Sequence, residues 1–262
     1  MKITLFTSNQ PRHNYFINLL SKNCKELFVV QESKTIFPGK VPGSYATSKL
    51  ITKYFENVKK FEKKIFGNCN VLKKNKDMNI TPLSSNGDLS RCNLKFLKDS
   101  LKSDLYIIFG SSYIKGPLVN FLIKKKAINI HMGISPYYRG ADCNFWAMYD
   151  GNSHLVGATI HMLSKGLDSG SILYHAMSKK NKNPFDYTML AVKSAFVSLV
   201  NNIKSKKISK FIKSKQEKKL LIRYSKKKEF NDLIVKDYFK KLKNFKYRKI
   251  DKKILKDPFF LK

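Results

Sequence analysis

The run Leu105-Tyr106-Ile107-Ile108-Phe109, closed by Gly110, decides the fold class of this chain. Five consecutive apolar residues without alternation suit a strand covered on both faces, the situation of a central strand in a parallel sheet. Towards the amino terminus, residues 2–6 alternate through Ile3 and Leu5, residues 10–20 place Tyr15, Phe16, Leu19 and Leu20 at helical spacing, and residues 26–31 form a second apolar run. This order predicts a βαβ unit with parallel strands. The cluster Pro38, Gly39, Pro42 and Gly43 marks a loop, residues 50–66 an amphipathic helix and residues 79–83 a strand. Towards the carboxyl terminus, the pattern predicts a helix over 117–126, a strand over 127–131, two more strands over 155–163 and 171–176, and a long apolar-faced helix over 187–203. The expected architecture is α/β: a Rossmann-like, mostly parallel sheet flanked by helices over residues 1–205, with a short, basic, mainly helical C-terminal extension over 206–262. In that extension residues 204–219 read as a charge-rich helix or linker, 220–224 as a short strand and 229–242 as a helix.

Length and composition narrow the class further. A chain of 262 residues with 42% hydrophobic and 13% aromatic content can bury one sizeable core. Cys24, Cys69, Cys92 and Cys143 are too widely spaced for a CxxC metal or redox motif and read as reduced, mostly buried thiols. No metal is implied. The amino terminus turns polar by Asn9 and no later window is apolar enough to span a bilayer, so a cytoplasmic location without a membrane span is expected. The net charge of +34 resembles that of a nucleic-acid binder, yet only five of the 52 basic residues are arginine, the side chain whose planar fork suits bidentate phosphate contacts. A general lysine-rich background accounts for most of it. Residues 201–262 hold 23 Lys and Arg against 6 Asp and Glu, so any polyanion contact falls there.

Chemistry concentrates in Asn129-Ile-His131-Met-Gly133-Ile-Ser135-Pro136-Tyr-Tyr138-Arg139-Gly140 and in Gly166-Leu167-Asp168-Ser-Gly170. On a strand, residues i and i+2 share a face, so Asn129 and His131 project together, and at the carboxyl end of a parallel strand they meet the crevice where open α/β sheets bind ligands. An amide, an imidazole and a carboxylate are the groups that hold an oxyanion, move a proton and orient the base. Read alone, Asn-x-His is equally an ordinary strand end, and an Asp between glycines a turn former.

Taken together, these segments resemble the folate-dependent formyltransferase family. That family's pattern is Asn-x-His, a leucine-proline turn, Arg-Gly, a helix ending in Asn-Gly or Asp-Gly, then an aspartate in a Gly-Leu-Asp-x-Gly loop after a strand resembling Thr159-Ile160-His161. The resemblance covers residues 80–180 in detail and 1–205 in outline. It implies formyl transfer from N10-formyltetrahydrofolate to a primary amine, with Asn129 donating to the oxyanion, His131 moving the proton and Asp168 supporting the imidazole. It also implies a folate site along Ser112, Tyr113, Ile114 and Lys115 and at Gly166 and Leu167. Met132, Gly133 and Ser135 depart from the family pattern, Gly133 standing where serine is usual.

The acceptor amine is read from less. No glycine precedes Gly39, so the phosphate-cradling loop expected of a phosphoribosylglycinamide formyltransferase is missing, although Arg12 and His13 near a helix amino terminus suit an anion. Tyr138-Arg139-Gly140 and Asn144-Phe145-Trp146 look more like the sugar N-formyltransferases and the transfer-RNA formyltransferases than like the purine enzyme. Arg12, His13, Arg139 and Trp146 are candidate substrate-binding residues, and an amino sugar on a nucleotide is the leading acceptor. A methionyl-tRNA formyltransferase is the other alternative, but residues after 205 are expected to be too few and too helical for its C-terminal barrel. From another class, a non-catalytic protein of this fold would bind nucleic acid through 206–262. Family analogy suggests a homodimer through the C-terminal helices.

Overall fold

The computed structural model describes residues 1–33, 48–69, 76–179 and 181–262 of the chain. The cluster from Pro38 to Gly43 lies outside the described residues. In chain order the elements are β1 (Lys2–Ser8), α1 (Pro11–Ser21), β2 (Glu26–Glu32), α2 (Lys49–Phe66), β3 (Met78–Leu83), α3 (Asp88–Arg91), β4 (Leu105–Phe109), α4 (Gly116–Lys124), β5 (Ile128–His131), β6 (Tyr138–Gly140), α5 (Cys143–Tyr149), β7 (Gly157–Met162), β8 (Ile172–Met177), α6 (Pro184–Lys204), β9 (Arg223–Ser225), α7 (Asp232–Lys243) and β10 (Phe259–Phe260).

The main sheet runs β10-β8-β7-β5-β4-β1-β2-β3. Strands β3, β2, β1, β4 and β5 are parallel neighbours, β7 is antiparallel to both β5 and β8, and β10 is parallel to β8. The chain builds outward from β1 to β3, then returns to lay β4 on the other side of β1. This reversal opens a crevice at the carboxyl ends of β1 and β4, where ligands bind in sheets of this kind. The unbroken apolar run of β4 is explained by its neighbours. Ile107 and Phe109 join Phe16, Leu20 and Phe196 of α1 and α6 on one face, while Tyr106 and Ile108 join Leu118 and Leu122 of α4 on the other.

The C-terminal residues differ from the expected helical appendage. Residues 205–222 carry two short 3-10 turns, Ile208–Lys210 and Lys218–Leu220, and no α-helix. Lysines alternate there too densely for a continuous apolar stripe, and an amphipathic helix has nothing to bury. The segment instead pairs with the sheets. Ser214 bridges to Ile172, β9 lies parallel to β6, and β10 extends the main sheet. Phe230 of this segment and Tyr238 of α7 are buried against Phe145, with ring centroids 4.9 and 4.5 Å away. Burying each such aromatic contributes about 1.5–3 kcal/mol, which holds residues 206–262 to the rest of the fold. Of the cysteines, Cys143 is buried and Cys24, Cys69 and Cys92 are half-buried, all as free thiols.

Candidate active site

Asn129 and His131 leave the carboxyl end of β5 on the same side, as the period of a strand requires. Asp168 reaches them from the loop between β7 and β8. Its Oδ2 lies 3.2 Å from His131 Nδ1 and accepts from the Gly140 N–H at 3.3 Å, and its Oδ1 accepts from Asn129 Nδ2 at 3.3 Å. The three residues picked from the sequence thus form one cluster.

Two hydrogen bonds fix the roles of the imidazoles. His161 Nδ1 lies 2.8 Å from the Met162 carbonyl, which can only accept, so Nδ1 carries the proton and Nε2 accepts from Asn129 Nδ2 at 3.0 Å. Both amide protons of Asn129 are therefore engaged within the cluster. The bond to Asp168 is the longer of the two. His131 Nε2 lies 3.0 Å from the Tyr138 carbonyl, so it too carries a proton and leaves Nδ1 facing the Asp168 carboxylate. Two acceptors then share the space for one proton, and His131 takes a proton on the side where a carboxylate stabilises it.

Electrostatics separate the partners. Burial pulls the His131 imidazole below its usual 6.5 while Asp168 opposes the fall and His161 and Arg139 add to it. For Asp168 burial acts upward, but His131, His161 and the Gly140 N–H outweigh it and hold the carboxyl at about 2. The carboxylate stays ionised near neutrality, and the imidazole is the group poised to exchange a proton.

Gly140 makes the geometry possible. Its φ of +96° is open to glycine, and a β-carbon there would lie 2.2 Å from the Ser225 carbonyl oxygen of β9. The close approach of β9 aims the Gly140 N–H at Asp168.

A cavity of about 320 Å3 opens beside the cluster, lined by Arg12, His13, Ile108 to Ile114, Asn129, His131, His161, Leu163, Gly166, Leu167 and Asp168. Of the residues expected to bind folate, Tyr113, Ile114, Gly166 and Leu167 line it. Ser112 lines it as well, but its N–H and hydroxyl both donate to Glu32, at 2.7 and 2.8 Å, so its polar groups are already used. Lys115 stands outside the lining; its N–H donates to Ser90 and its ammonium sits 5.6 Å from the Tyr113 ring centroid. Of the substrate candidates, His13 and Arg12 line the cavity, and Arg12 is ion-paired with Glu62 at 2.8 Å. Arg139 does not line it: its Nη2 donates to the Leu167 carbonyl at 2.7 Å. Trp146 is 2% exposed, packed beside Phe145 and under the Arg223 guanidinium, and is corrected from a substrate contact to a core residue. A helix motif does not reveal which side of the helix meets a cavity.

His161 and Glu32 escaped the sequence reading as functional residues. His161 faces Asn129 in register across β5 and β7, a pairing one sequence does not display. Among the described residues no group of three or more His, Cys, Asp or Glu is arranged to hold a metal, and no helix is long and apolar enough to cross a membrane.

The α/β fold places an amide, an imidazole and a carboxylate together at its crevice. Residues 70–181 match the model of the family described as Formyl transferase, the family that the motifs resemble. A methionyl-tRNA formyltransferase from a Synechococcus strain is 32% identical over 78 residues, which is 30% of this chain and 24% of that protein, so the match spans about a quarter of the relative's length. Among solved structures, a sugar N-formyltransferase from a Shewanella species superposes with a TM-score of 0.55 at 15% identity, covering 92% of this chain and 87% of the other. An N-formyltransferase from Helicobacter canadensis, in complex with folinic acid and dTDP-3-aminofucose, gives a TM-score of 0.53 at 12% identity over 96% of this chain and 85% of its own. The glycinamide ribonucleotide transformylase 1 of Symbiobacterium toebii gives 0.51 at 13%, over 83% and 94%. These likenesses are likenesses of fold.

Proposed function

We propose that this chain transfers the formyl group of N10-formyltetrahydrofolate to a primary amine, and that the amine belongs to a sugar carried on a nucleotide. The single observation that carries the reading is the convergence of Asn129, His131 and Asp168 beside a cavity, within a segment that matches the formyl transferase model. The cavity suits a flat heterocycle with polar edges: Ile108, Ile114, Val119, Ile130 and Leu163 supply apolar walls, and backbone groups of Gly110, Ser111 and Ile114 border it. Residues 1–205 hold this site, and 206–262 support it from outside.

The bound folate supplies an activated one-carbon carbonyl. Asn129 donates to its oxygen as charge develops there, a contact whose loss costs about 2.7–4 kcal/mol. His131 receives the proton of the attacking amine on Nδ1, while Nε2 stays bonded to Tyr138, and passes it to the folate nitrogen as that nitrogen's bond to the formyl carbon breaks and tetrahydrofolate leaves. Asp168 orients the imidazole and stabilises its charged form. A nucleotide sugar is favoured over glycinamide ribonucleotide because Arg12, the guanidinium nearest the end of β1, is already neutralised by Glu62 and no glycine-rich loop follows β1. One solved structure that shares the fold, the Helicobacter canadensis N-formyltransferase, is described in complex with dTDP-3-aminofucose.

The test is tetrahydrofolate release from N10-formyltetrahydrofolate with dTDP- and UDP-linked amino sugars, glycinamide ribonucleotide and methionyl-tRNA as separate acceptors. Turnover should appear with an amino sugar nucleotide and fall by about 100-fold or more in Asn129→Ala and His131→Ala. Turnover with one of the other acceptors would replace the substrate. No turnover with any amine, together with salt-sensitive RNA binding, would establish the non-catalytic reading instead.

A further inference from the structure

We propose that Gln216, in the C-terminal segment, is a positioning residue for Asp168. This inference rests on the reading of Asn129, His131 and Asp168 given above. Asp168 has a φ of +47°, a left-handed conformation that a residue with a side chain adopts where its surroundings hold it there. The loop is held by its carbonyl groups. Gln216 Nε2 donates to the Asp168 carbonyl at 2.8 Å and to the Gly170 carbonyl at 2.7 Å, so both of its amide protons clamp the peptide groups on either side of Ser169-Gly170. Arg139 holds the Leu167 carbonyl in the same way.

The amide is not free to turn over. Its Oε1 is buried and makes no hydrogen bond among the described residues, and rotating the group would place that oxygen against two carbonyl oxygens. The backbone beneath it is fixed as well. Two residues earlier, Ser214 exchanges both backbone hydrogen bonds with Ile172 at the start of β8, at 2.8 and 2.9 Å. At the other end of the loop Gly170 passes so close to Met162 that a β-carbon would fall 1.7 Å from its carbonyl oxygen. Gln216 is thus a rigid link between an anchored strap and the loop that carries the carboxylate. Its effect is large because each contact of Asp168 is long, 3.2 Å to His131 and 3.3 Å to Asn129 and Gly140. A loop displaced by a few tenths of an ångström loses them all.

The test uses the full chain and follows the His131 imidazole by NMR titration, with Asp168→Asn as the reference. The groups facing that imidazole are Asp168, His161 of β7, and Arg139 and the Tyr138 carbonyl of β6, with Cys143 of α5 on the far side of Gly133. Asp168→Asn should lower the midpoint, because the carboxylate stabilises the charged ring. Gln216→Met, which keeps the bulk and removes the donors, should move the midpoint in the same direction, and Gln216→Glu, which sets a carboxylate against the two carbonyls, should move it further. In turnover, Gln216→Met should lower kcat about 10-fold with little change in KM for the folate, the signature of a misplaced group. A wild-type midpoint and kcat in Gln216→Met, with a shifted midpoint in Asp168→Asn, would overturn the proposal. If Asp168→Asn leaves the midpoint unmoved, the pairing of Asp168 with His131 fails and the proposal fails with it. A shifted midpoint in Gln216→Met without turnover on any amine supports the positioning role and removes the formyl-transfer reading alone.

Discussion

Gly133 is the residue at which a departure from the family pattern has a structural consequence. A β-carbon at this position would lie 2.5 Å from the Cys143 β-carbon and 2.7 Å from His131 Nε2. The chain has filled with Cys143 the space that a serine side chain needs, and the Gly133 carbonyl is instead held by the Thr159 hydroxyl at 2.6 Å. Gly133→Ser should therefore overpack the turn at a cost of about 1–3 kcal/mol and push His131 off the Tyr138 carbonyl, lowering the melting temperature and kcat together. Gly133→Ser combined with Cys143→Gly should recover part of both. A single variant that melts and turns over like the parent would show that the two side chains do not compete for this space.

At the scale of elements, the site is assembled from strand ends and the loops they release. Glu32, the last residue of β2, is 1% exposed and draws two such loops together. Its Oε1 accepts from the N–H groups of Gly87 and Leu89 at 2.9 and 3.2 Å and from the Ser112 hydroxyl at 2.8 Å, and its Oε2 accepts from the Ser112 N–H at 2.7 Å. Glu32→Ala strands these donors at about 1–3 kcal/mol each and frees residues 110–114 from the cavity wall. The expected result is a lower melting temperature and at least about a 10-fold loss of affinity for folinic acid by calorimetry. Unchanged folinic acid binding would show that Glu32 does not set this wall.

The same scale explains what the sequence disclosed. The unbroken apolar run of β4 and the spacing of Asn129 and His131 are local signals, because burial on two faces and a period of two are written into consecutive residues. Asp168 became legible through its glycine-flanked motif. Glu32, His161 and Gln216 did not, since each is joined to the site by strand pairing or by a contact across many residues, 48 in the case of Gln216 and Asp168. The charge of residues 206–262 suggested a basic, mainly helical extension, whereas apolar groups such as Phe230, Val235, Tyr238 and Leu255 and the Gln216 amide decide where they lie.

Across the whole molecule, those residues are tied to the fold at several points. Arg223 is bidentate to Asp150 at 3.0 and 2.8 Å, and β10 lies along β8. His175 of β8 joins three parts of the chain: its Nδ1 accepts from the Lys256 N–H at 2.8 Å and its Nε2 lies 2.9 Å from the Ser135 carbonyl in the turn after β5. One neutral tautomer satisfies both bonds, and a second proton would confront the Lys256 N–H. Burial accordingly lowers this imidazole to about 4, with the Ser135 carbonyl and Asp257 opposing. Between that value and the unfolded value of about 6.5 the unfolded chain binds more protons, so stability falls as pH drops through this window, by about 3 kcal/mol in all. Urea unfolding across pH 4–7 should show the slope in the parent and a flatter one in His175→Gln. Equal slopes would remove His175 as its source.

The parallel pairing of β6 with β9 also sets an order of events during synthesis. The ribosome releases Asn129, His131 and Asp168 well before Gln216 and the Ser225 carbonyl that crowds Gly140. A nascent chain halted at residue 205 would carry every group of the reacting cluster and lack the struts that hold it. The cluster therefore reaches its final packing late in translation, after the residues that compose it have already been spelled out.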